Sequence, residues 1–318
     1  MARLSHTPRR APVRGDPAAR VPVATLLRRA TRALQRARLH YGHGTDNARD
    51  DAAALVWHAL RLPDRPGAAR LRRGASSGQQ ARLRALLERR IVGRVPVVYL
   101  THRCWFAGME MYVDERVLIP RSPLAELIER GFAPWIAAAR VRRVADLGTG
   151  SGCLAIACAR AFPRARVDAL DISADALAVA RLNIRRHRLA RRVRALESDH
   201  FSALGREAYD IIVSNPPYVG RAELAALPPE YRHEPALALA AGRDGLDSVR
   251  AILRDAVRFL RPGGILVVEV GNSEALVRRR FARLPFTWLD FTRGGGGVFL
   301  LTREQLVAAQ RSAQRARG

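Results

Sequence analysis

The sequence predicts an α/β protein in which a small helical domain precedes a mostly parallel β-sheet with helices on both faces. Two observations carry this prediction. Apolar residues recur at helical spacing throughout residues 22–93, with arginines between them. From Arg142 onwards, short apolar strands alternate with amphipathic helices, and strands joined by helices of this length pair in parallel.

Length and composition agree with two globular domains. The chain has 318 residues, of which 48% are hydrophobic and 26% charged. No apolar run approaches the length of a membrane span. The basic N-terminus lacks the apolar segment of a secretory signal, so residues 1–21 are predicted to be a disordered basic tail. Cys104, Cys153 and Cys158 have no metal-ligand spacing and are expected to be reduced thiols of a cytoplasmic protein, with no metal site.

The charge of the chain is unusual. The formal net charge is +26, and the sequence contains no lysine. Residues 1–100 contain 21 arginines against six acidic residues, and the remaining 218 residues contain 34 against 23. Such an excess favours contact with polyanions such as nucleic acid. Compositional drift toward arginine over a solvated surface explains the excess equally well, so both interpretations stay open.

The N-terminal part is predicted to contain three helices, followed by a hairpin. The third helix begins at a serine cap and ends near Gly93. Residues 94–121 change to strand-like alternation, which predicts a β-hairpin linking the two domains. A further helix follows, with Ser122 as its candidate cap.

Seven strands are predicted within the second domain, residues 122–305. The last two are close together in the sequence, so one of them is expected to run antiparallel at the edge. Residues 306–318 are predicted to be a basic C-terminal tail. The strands are RRVADL, ARVDALDIS, RVRALESD, YDIIVS, ILVVEVGN, FTWLDF and GVFLLTR.

A glycine-rich loop, DLGTGSG, follows the first strand of this domain. Its glycines let the backbone turn sharply and approach a ligand closely. The N–H groups that open the next helix favour an anionic or polar group. The G-x-G-x-G spacing differs from the longer spacing of dinucleotide-binding loops. The candidate cofactor-binding residues of this loop are Asp146, Gly148, Thr149, Gly150 and Gly152.

Acidic residues follow the next two strands at the same edge of the sheet. Asp171 ends the second strand, where a carboxylate accepts hydrogen bonds from the hydroxyls of an unphosphorylated ribose. Asp199 ends the third strand and is expected to accept from an exocyclic amine, with His200 stacking on a base. Ligands of open α/β sheets bind beyond the carboxyl ends of the strands, so these residues and the glycine loop predict a nucleoside cofactor.

The fourth strand stops abruptly at NPPY, residues 215–218. Proline lacks an N–H and fixes φ, so two consecutive prolines end the strand. Each proline also holds the preceding residue extended, which makes the backbone at Asn215 and Pro216 stiff. A strand-exit turn is the simpler interpretation. The neighbouring motifs favour a pocket that needs hydrogen-bond acceptors in fixed positions.

These motifs together resemble a known family. DLGTGSG, Asp171 and NPPY are similar to class I S-adenosylmethionine-dependent methyltransferases that methylate amino groups, which have a Rossmann-like seven-stranded sheet. The segments VLIPRSPLAELIE, LPPEYRHEPALALAAGRDGLD, VVEVGNS and PFTWLDFTRGGGGVF extend the resemblance to the PrmB type of protein-glutamine N(5)-methyltransferase over residues 22–305. A sister family, which modifies release factors, reads PRPDTE where residues 120–126 read PRSPLAE. That family also has a tryptophan at the position of His200.

The resemblance implies an activity and roles for the site residues. S-adenosyl-L-methionine is the implied cofactor, and the implied substrate is a glutamine of the third large-subunit ribosomal protein, free or within an assembling subunit. The resemblance implies that the Asn215 side-chain oxygen and the Pro216 carbonyl hold the substrate amide. Pro217 is expected to line the same site, and Tyr218 to stack on the amide plane. Asn215 is expected to border the cofactor as well. Arg121 is interpreted as a substrate contact, or otherwise as a brace of the hairpin.

Three other functions remain open at this stage. The chain is also compatible with a release-factor glutamine methyltransferase. Adenine and guanine carry planar amino groups too, so a nucleic-acid amino methyltransferase fits NPPY and the positive charge. A non-catalytic RNA-binding protein that kept the fold is the third alternative. Glu269, which ends the fifth strand, is interpreted as a structural acid, with a place in the pocket wall as the alternative.

Overall fold

A computed structural model describes residues 20–315, without the side chains of 313–315. Most of the predicted N-terminal tail and residues 316–318 of the predicted C-terminal tail lie outside the described residues. The chain divides into two compact units. The helical unit comprises the chain up to Leu39 together with Asn47–Gly93, and the C-terminal unit comprises His40–Asp46 and the chain from Arg94 onwards.

The helical unit contains the three helices that the apolar spacing predicts, together with a short helix over Ala68–Arg72 and two short strands that were not predicted. Residues such as Leu34 and Leu55 are completely buried between the helices. Ser76 and Gln79 form a reciprocal capping box at the start of the fourth helix. The elements of this unit are β1 (Val21–Pro22), α1 (Val23–Arg36), α2 (Ala48–Leu60), α3 (Ala68–Arg72), β2 (Gly74–Ala75) and α4 (Ser77–Ile91), with β1 antiparallel to β2.

The segment predicted as a hairpin, residues 94–121, begins instead with a helix. Helix α5 (Val97–Thr101) is buried along its whole length. Strands β3 (Cys104–Phe106) and β4 (Met109–Met111) then form the hairpin, with Ala107 and Gly108 both at positive φ in the turn. A short buried helix and a short buried strand have the same apolar run, so periodicity alone does not distinguish them.

The seven-stranded sheet is mostly parallel, as predicted. The strand order is β10-β11-β9-β8-β5-β6-β7, and β11 alone is antiparallel to its neighbours. The expected antiparallel strand is therefore present, but it lies inside the sheet, and β10 forms the edge. The strands are β5 (Arg143–Leu147), β6 (Arg166–Asp171), β7 (Val193–Glu197), β8 (Tyr209–Ser214), β9 (Leu260–Glu269), β10 (Thr287–Leu289) and β11 (Val298–Thr302).

Helices cover the sheet and extend past the predicted end of the domain. Residues 306–315, predicted as a tail, belong to the last helix, which is anchored by Leu306 at 2% exposure. One buried leucine among arginines and glutamines gives too weak a period to predict that helix. Among the described residues, no helix is long and apolar enough to cross a bilayer. The helices are α6 (Leu124–Glu129), α7 (Cys153–Ala161), α8 (Ala174–Arg186), α9 (Arg221–Ala226), α10 (Ala236–Leu239), α11 (Asp247–Phe259), α12 (Glu274–Arg280) and α13 (Arg303–Arg315).

Candidate active site

A cavity of about 270 Å³ lies beyond the carboxyl ends of β5, β6 and β8. Apolar side chains such as Ile172 and Leu237 form part of its wall. Eight of the predicted site residues line it, which brings together three separate sequence motifs. These eight are Gly148, Gly150, Asp171, Asp199, His200, Asn215, Pro216 and Pro217.

The glycine loop and the NPPY segment meet because β5 and β8 are neighbours. Leu147 and Ser214 are paired in the last position of the two parallel strands. The buried Ser214 hydroxyl donates to the Leu147 carbonyl at 2.8 Å, which ties the strand ends together. Asn215 and Gly148 therefore lie side by side, and a Cβ at Gly148 would lie 3.9 Å from the Asn215 carbonyl.

Asp171 holds the glycine loop as well as lining the cavity. Its carboxylate accepts from the Gly150 N–H at 2.8 Å and from the Ser173 N–H at 2.9 Å. Burial raises the pKa of Asp171, although these backbone hydrogen bonds oppose the shift. The predicted ribose-binding acid thus also fixes the backbone that approaches the ligand.

Asp146 lies beneath the loop and does not line the cavity. It is fully buried and accepts from the Thr149 hydroxyl at 2.6 Å and the Ala155 N–H at 3.0 Å. Burial raises its pKa to about 7. Its Oδ1 atom has no hydrogen-bond partner among the described residues. Asp146 and Thr149 therefore support the loop from below.

A buried asparagine that the sequence analysis missed also braces the loop. Gly152 has φ +82°, and a Cβ there would lie 3.3 Å from that of Ala180, so α8 packs directly on the loop. Asn183 of the same helix donates to the carbonyls of Ser151 and Tyr112, both at 2.9 Å. The sequence signal that could have identified Asn183 is a polar amide on the apolar face of a predicted helix.

Asp199 and His200 form the rim of the cavity. The Asp199 side chain is mostly exposed, and its Oδ1 lies 2.6 Å from His200 Nδ1. His200 has a positive φ of 51°, and its carbonyl accepts from the Ser198 hydroxyl. The pair is therefore held at the cavity entrance.

The end of β8 presents an acceptor without a donor. Asn215 Oδ1 is buried and has no hydrogen-bond partner among the described residues. Pro216 is buried beside it. After NPPY, Val219 exchanges backbone hydrogen bonds with Leu239 and Ala241 at 2.9 and 3.0 Å, which attaches the 227–247 segment to the site.

Tyr218 is placed by residues from distant parts of the chain. Its hydroxyl donates to Glu269 Oε1 at 3.4 Å, and its ring packs so closely on Gly271 that a Cβ there would lie 2.7 Å away. Glu269 is 5% exposed and also accepts from the Ser122 hydroxyl. Burial raises the pKa of Glu269 to about 7. The acid interpreted as structural therefore contacts a predicted catalytic residue. The sequence signal that could have placed Glu269 at the site is its position at a strand end, which Asp171 shares.

Arg121 does not line the cavity. Its guanidinium pairs with the buried Glu234 through both terminal nitrogens, with Nη2 2.7 Å from Oε2, and lies 5.3 Å from the Tyr231 ring centroid. Glu234 directly precedes Pro235, which lines the cavity together with Leu237. This geometry favours the brace interpretation, and a substrate contact by Arg121 stays a prediction.

Side chains that commonly bind metal ions are not clustered in the described part of the chain. Among the described residues, no group of three or more His, Cys, Asp and Glu side chains is arranged to hold a metal ion. The three cysteines are free, with Cys104 and Cys158 buried.

Known families match both units of the chain. Residues 131–227 match the family described as methyltransferase small domain, and residues 25–101 match the PrmC N-terminal domain. A solved methyltransferase from Pyrococcus furiosus is 19% identical, covers 62% of this chain and 89% of its own, and superposes with a TM-score of 0.44.

Relatives of much higher identity extend over almost the whole sequence. Proteins from Neisseria meningitidis serogroup B and Neisseria gonorrhoeae, both named ribosomal protein uL3 glutamine methyltransferase, are each 46% identical over 289 residues. The alignments cover 91% of this chain and 95% and 96% of theirs. The chain therefore belongs to the ribosomal protein uL3 glutamine methyltransferase family.

Proposed function

We propose that this protein transfers a methyl group from S-adenosyl-L-methionine to the side-chain amide of a glutamine in ribosomal protein uL3, giving N(5)-methylglutamine. The observation that carries the proposal is the buried, unpartnered Asn215 Oδ1 at the cavity wall. The names of the 46%-identical relatives support the choice of substrate over release factors and nucleic acids.

The cavity fits a nucleoside cofactor. The backbone of Gly148 and Gly150 leaves room for close approach, and a Cβ at Gly150 would meet no protein atom within 4 Å. Asp171 and Asp199 supply acceptors for hydroxyl and amino groups, and the apolar wall suits a base. When bound, S-adenosylmethionine supplies an electrophilic methyl group.

The NPPY segment suits the substrate amide. An amide nitrogen is a poor nucleophile because its lone pair is delocalised into the carbonyl, so its orientation matters. Asn215 Oδ1 and the Pro216 carbonyl would accept its two N–H groups and present the nitrogen to the cavity. A buried acceptor without a donor costs about 1–3 kcal/mol, and the substrate N–H removes that cost. Because Pro216 and Pro217 stiffen the backbone, the acceptors are pre-organised.

Tyr218 completes the amide site. Its ring would stack on the amide plane and exclude water, and Glu269 together with Gly271 holds the ring in place. In this arrangement positioning would accelerate the reaction: the bond between the methyl group and the cofactor sulfur would break as the N–C bond forms, and the proton of the amide nitrogen would pass to solvent when the product leaves the site.

The charge of the enzyme bears on the form of its substrate. Ribosomal proteins are generally basic, so an enzyme of net charge +26 repels a free one. We therefore propose that uL3 is methylated within the assembling large subunit in the cytoplasm, where ribosomal RNA supplies excess negative charge. Mass spectrometry of uL3 from cells that lack this enzyme tests the proposed function. We expect one glutamine to lack its methyl group, and unchanged methylation would refute the proposal.

Replacing Asn215 by Ala should reduce turnover about a hundredfold or more, because it removes an acceptor that orients the reacting nitrogen. Cofactor affinity should stay within a few-fold of wild type. Steady-state kinetics and calorimetric titration of the cofactor measure the two effects. Equal losses of affinity and turnover would assign Asn215 to the cofactor alone.

Replacing Asp171 by Ala should have the opposite pattern. A cofactor hydroxyl loses its charged acceptor and the Gly150 N–H loses its anchor, so cofactor affinity should fall about ten- to a hundredfold. Calorimetric titration measures this change, with Asp171→Asn as the control that keeps one oxygen acceptor. Unaltered affinity in a folded variant would remove Asp171 from the binding site.

Replacing Arg121 by Ala should lower the free energy of unfolding by about 2–4 kcal/mol, because the buried Glu234 loses its arginine partner and keeps the hydrogen bond from the Ile119 N–H. Cofactor affinity should fall as well, since Glu234 anchors the cavity wall at 235–240. Denaturant unfolding and calorimetric titration test both points, and Arg121→Lys should restore only part of the loss. A higher KM for uL3 with normal stability and cofactor affinity would show a substrate contact instead.

Replacing Glu269 by Gln should change how stability depends on pH. The folded pKa of about 7 exceeds the ordinary value of 4.5, so between those values the folded chain binds more protons than the unfolded chain. Wild-type stability contributed by this group is therefore full at low pH and lost as pH rises through 7. Without cofactor, the Gln variant should gain about 1–3 kcal/mol relative to wild type between pH 5 and pH 8. A pH-independent difference in denaturant unfolding would contradict the shifted pKa.

A further inference from the structure

The helical unit carries positive charge that its own acids do not balance. Residues 20–39 and 47–93 contain 16 arginines and four acidic residues. Arg90 is buried against Asp51, with Nε 2.7 Å from Oδ2. The other fifteen arginines are exposed. This unit therefore presents a strongly cationic surface.

The C-terminal unit has more acidic residues for each arginine than the helical unit has. It contains 35 arginines, but also 24 acidic residues. Among its described residues, twelve arginines form ion pairs with Asp or Glu, as Arg143 does with Asp168 and Arg293 with Glu129. Compositional drift toward arginine acts on the whole gene, so it does not explain why the C-terminal unit has 24 acidic residues for 35 arginines whereas residues 20–39 and 47–93 have four for 16.

Five exposed arginines of the helical unit surround two depressions, each of about 320 Å³. Arg61 lines both depressions. Arg70 and Arg73 line the first with Gln79, and Arg82 and Arg89 line the second. Neither lining contains an acidic residue. We call Arg61, Arg70, Arg73, Arg82 and Arg89 the arginine patch.

The guanidinium groups of the arginine patch have no partners in the part of the chain that the structure describes: they form no ion pair and no side-chain hydrogen bond there. Five cations that share two depressions repel one another, and a bound anion relieves that repulsion. Guanidinium is also the side-chain group best matched to phosphate, because it donates two parallel hydrogen bonds.

Arg61 occupies a backbone position where arginine is unusual. It follows the last residue of α2 with φ 54°, and its N–H bonds to the His58 carbonyl. Glycine or asparagine normally ends a helix in this left-handed conformation, and another residue costs about 1 kcal/mol. Arg61, which lines both depressions, therefore occupies this position at the expense of stability, as Arg38, Arg94 and Arg188 do elsewhere in the described chain.

We propose that the arginine patch binds the phosphate backbone of ribosomal RNA without reading its sequence. The patch would hold the enzyme on the particle that contains uL3. Ribosomal RNA as the natural partner rests on the proposed function, whereas binding of RNA by the patch does not. A lipid surface fits less well, because membrane binding needs an exposed apolar face, and Val92 is the only exposed large apolar residue in the described part of this unit.

The test compares two charge-matched variants. The patch variant carries Arg61→Asn, which suits the left-handed φ, and Gln at the other four positions. The control variant carries Gln at five exposed arginines of the C-terminal unit that form no ion pair in the described structure: Arg164, Arg206, Arg279, Arg280 and Arg283. Fluorescence anisotropy with a short labelled single-stranded RNA, without cofactor, gives the affinity across a salt series.

We expect the patch variant to lose about 3 from the slope of log K against log salt, since each phosphate contact contributes about 0.7. The control variant should lose less than about 1. Equal losses in the two variants, or no RNA binding by the wild type, would overturn the proposal. The proposal would also be overturned if the protein bound anionic vesicles through the patch but did not bind RNA.

Two further measurements separate this proposal from the proposed function. The patch variant should methylate free uL3 at least as well as the wild type does, but lose activity on ribonucleoprotein particles at low salt. If the wild type binds RNA through the patch yet methylates neither form of uL3, the proposed function is wrong, but the proposal that the patch binds RNA is supported. If the fivefold variant does not fold, a double variant provides the test: Arg82→Gln with Arg89→Gln, two positions on one face of α4. This double variant should still reduce the slope of log K against log salt by about 1. An unchanged slope in that pair would count against the patch.

Discussion

The parallel pairing of β5 with β8 is the constraint on which the cavity depends. It places the glycine loop after Leu147 and the NPPY segment after Ser214 at one edge of the sheet, and the Ser214 hydroxyl fastens the two strand ends. A register slip of one residue would turn every side chain of β8 to the opposite face and separate Asn215 from the loop. Such a slip would disrupt the close packing of Ile211, Ile212 and Val213, which are completely buried on the two faces of the sheet. The hydrophobic core therefore sets the geometry of the site.

The buried acids at the cavity end of the sheet differ from an acid at its other end. Asp168 and Asp171 belong to the same strand. Although burial opposes it, hydrogen bonds from Arg194, Tyr209 and Arg143 lower the pKa of Asp168, as expected of a structural ion pair. Asp171 and Glu269 have no arginine partner within the described residues, and burial raises both pKa values. Buried acids that have no arginine partner in a chain so rich in arginine are candidates for ligand contact, and of these two Asp171 lines the cavity.

The sequence was sufficient for those features of the site that lie within one strand and its following loop. The glycine loop, Asp171 and NPPY each follow an apolar strand, and the rule for parallel sheets brings them to one edge. Contacts between distant segments were beyond such reasoning: Ser122 meets Glu269 across 147 positions, and Arg121 meets Glu234 across 113. Neither pair has a local pattern, because each depends on how α6 and the 227–247 segment pack against strand ends. Helix α5 was missed for a different reason, since five buried residues carry no period that separates helix from strand.

The two units differ in how far acidic residues balance their arginines. In the C-terminal unit, acids close to the arginines neutralise charge where a precise fold has to be held, as Asp210 does for Arg261 between neighbouring strands. In the helical unit, α1 to α4 bury an apolar core that includes one such pair, Arg90 and Asp51, and the fifteen exposed arginines around it repel one another. That repulsion destabilises the unit at low ionic strength and weakens as salt screens it. If the arginine patch binds RNA as proposed, that polyanion would remove the same repulsion without added salt, stabilise the helical unit and raise the affinity of the enzyme for the particle. The charge that hinders encounter with a free basic substrate would then favour encounter with that substrate on RNA.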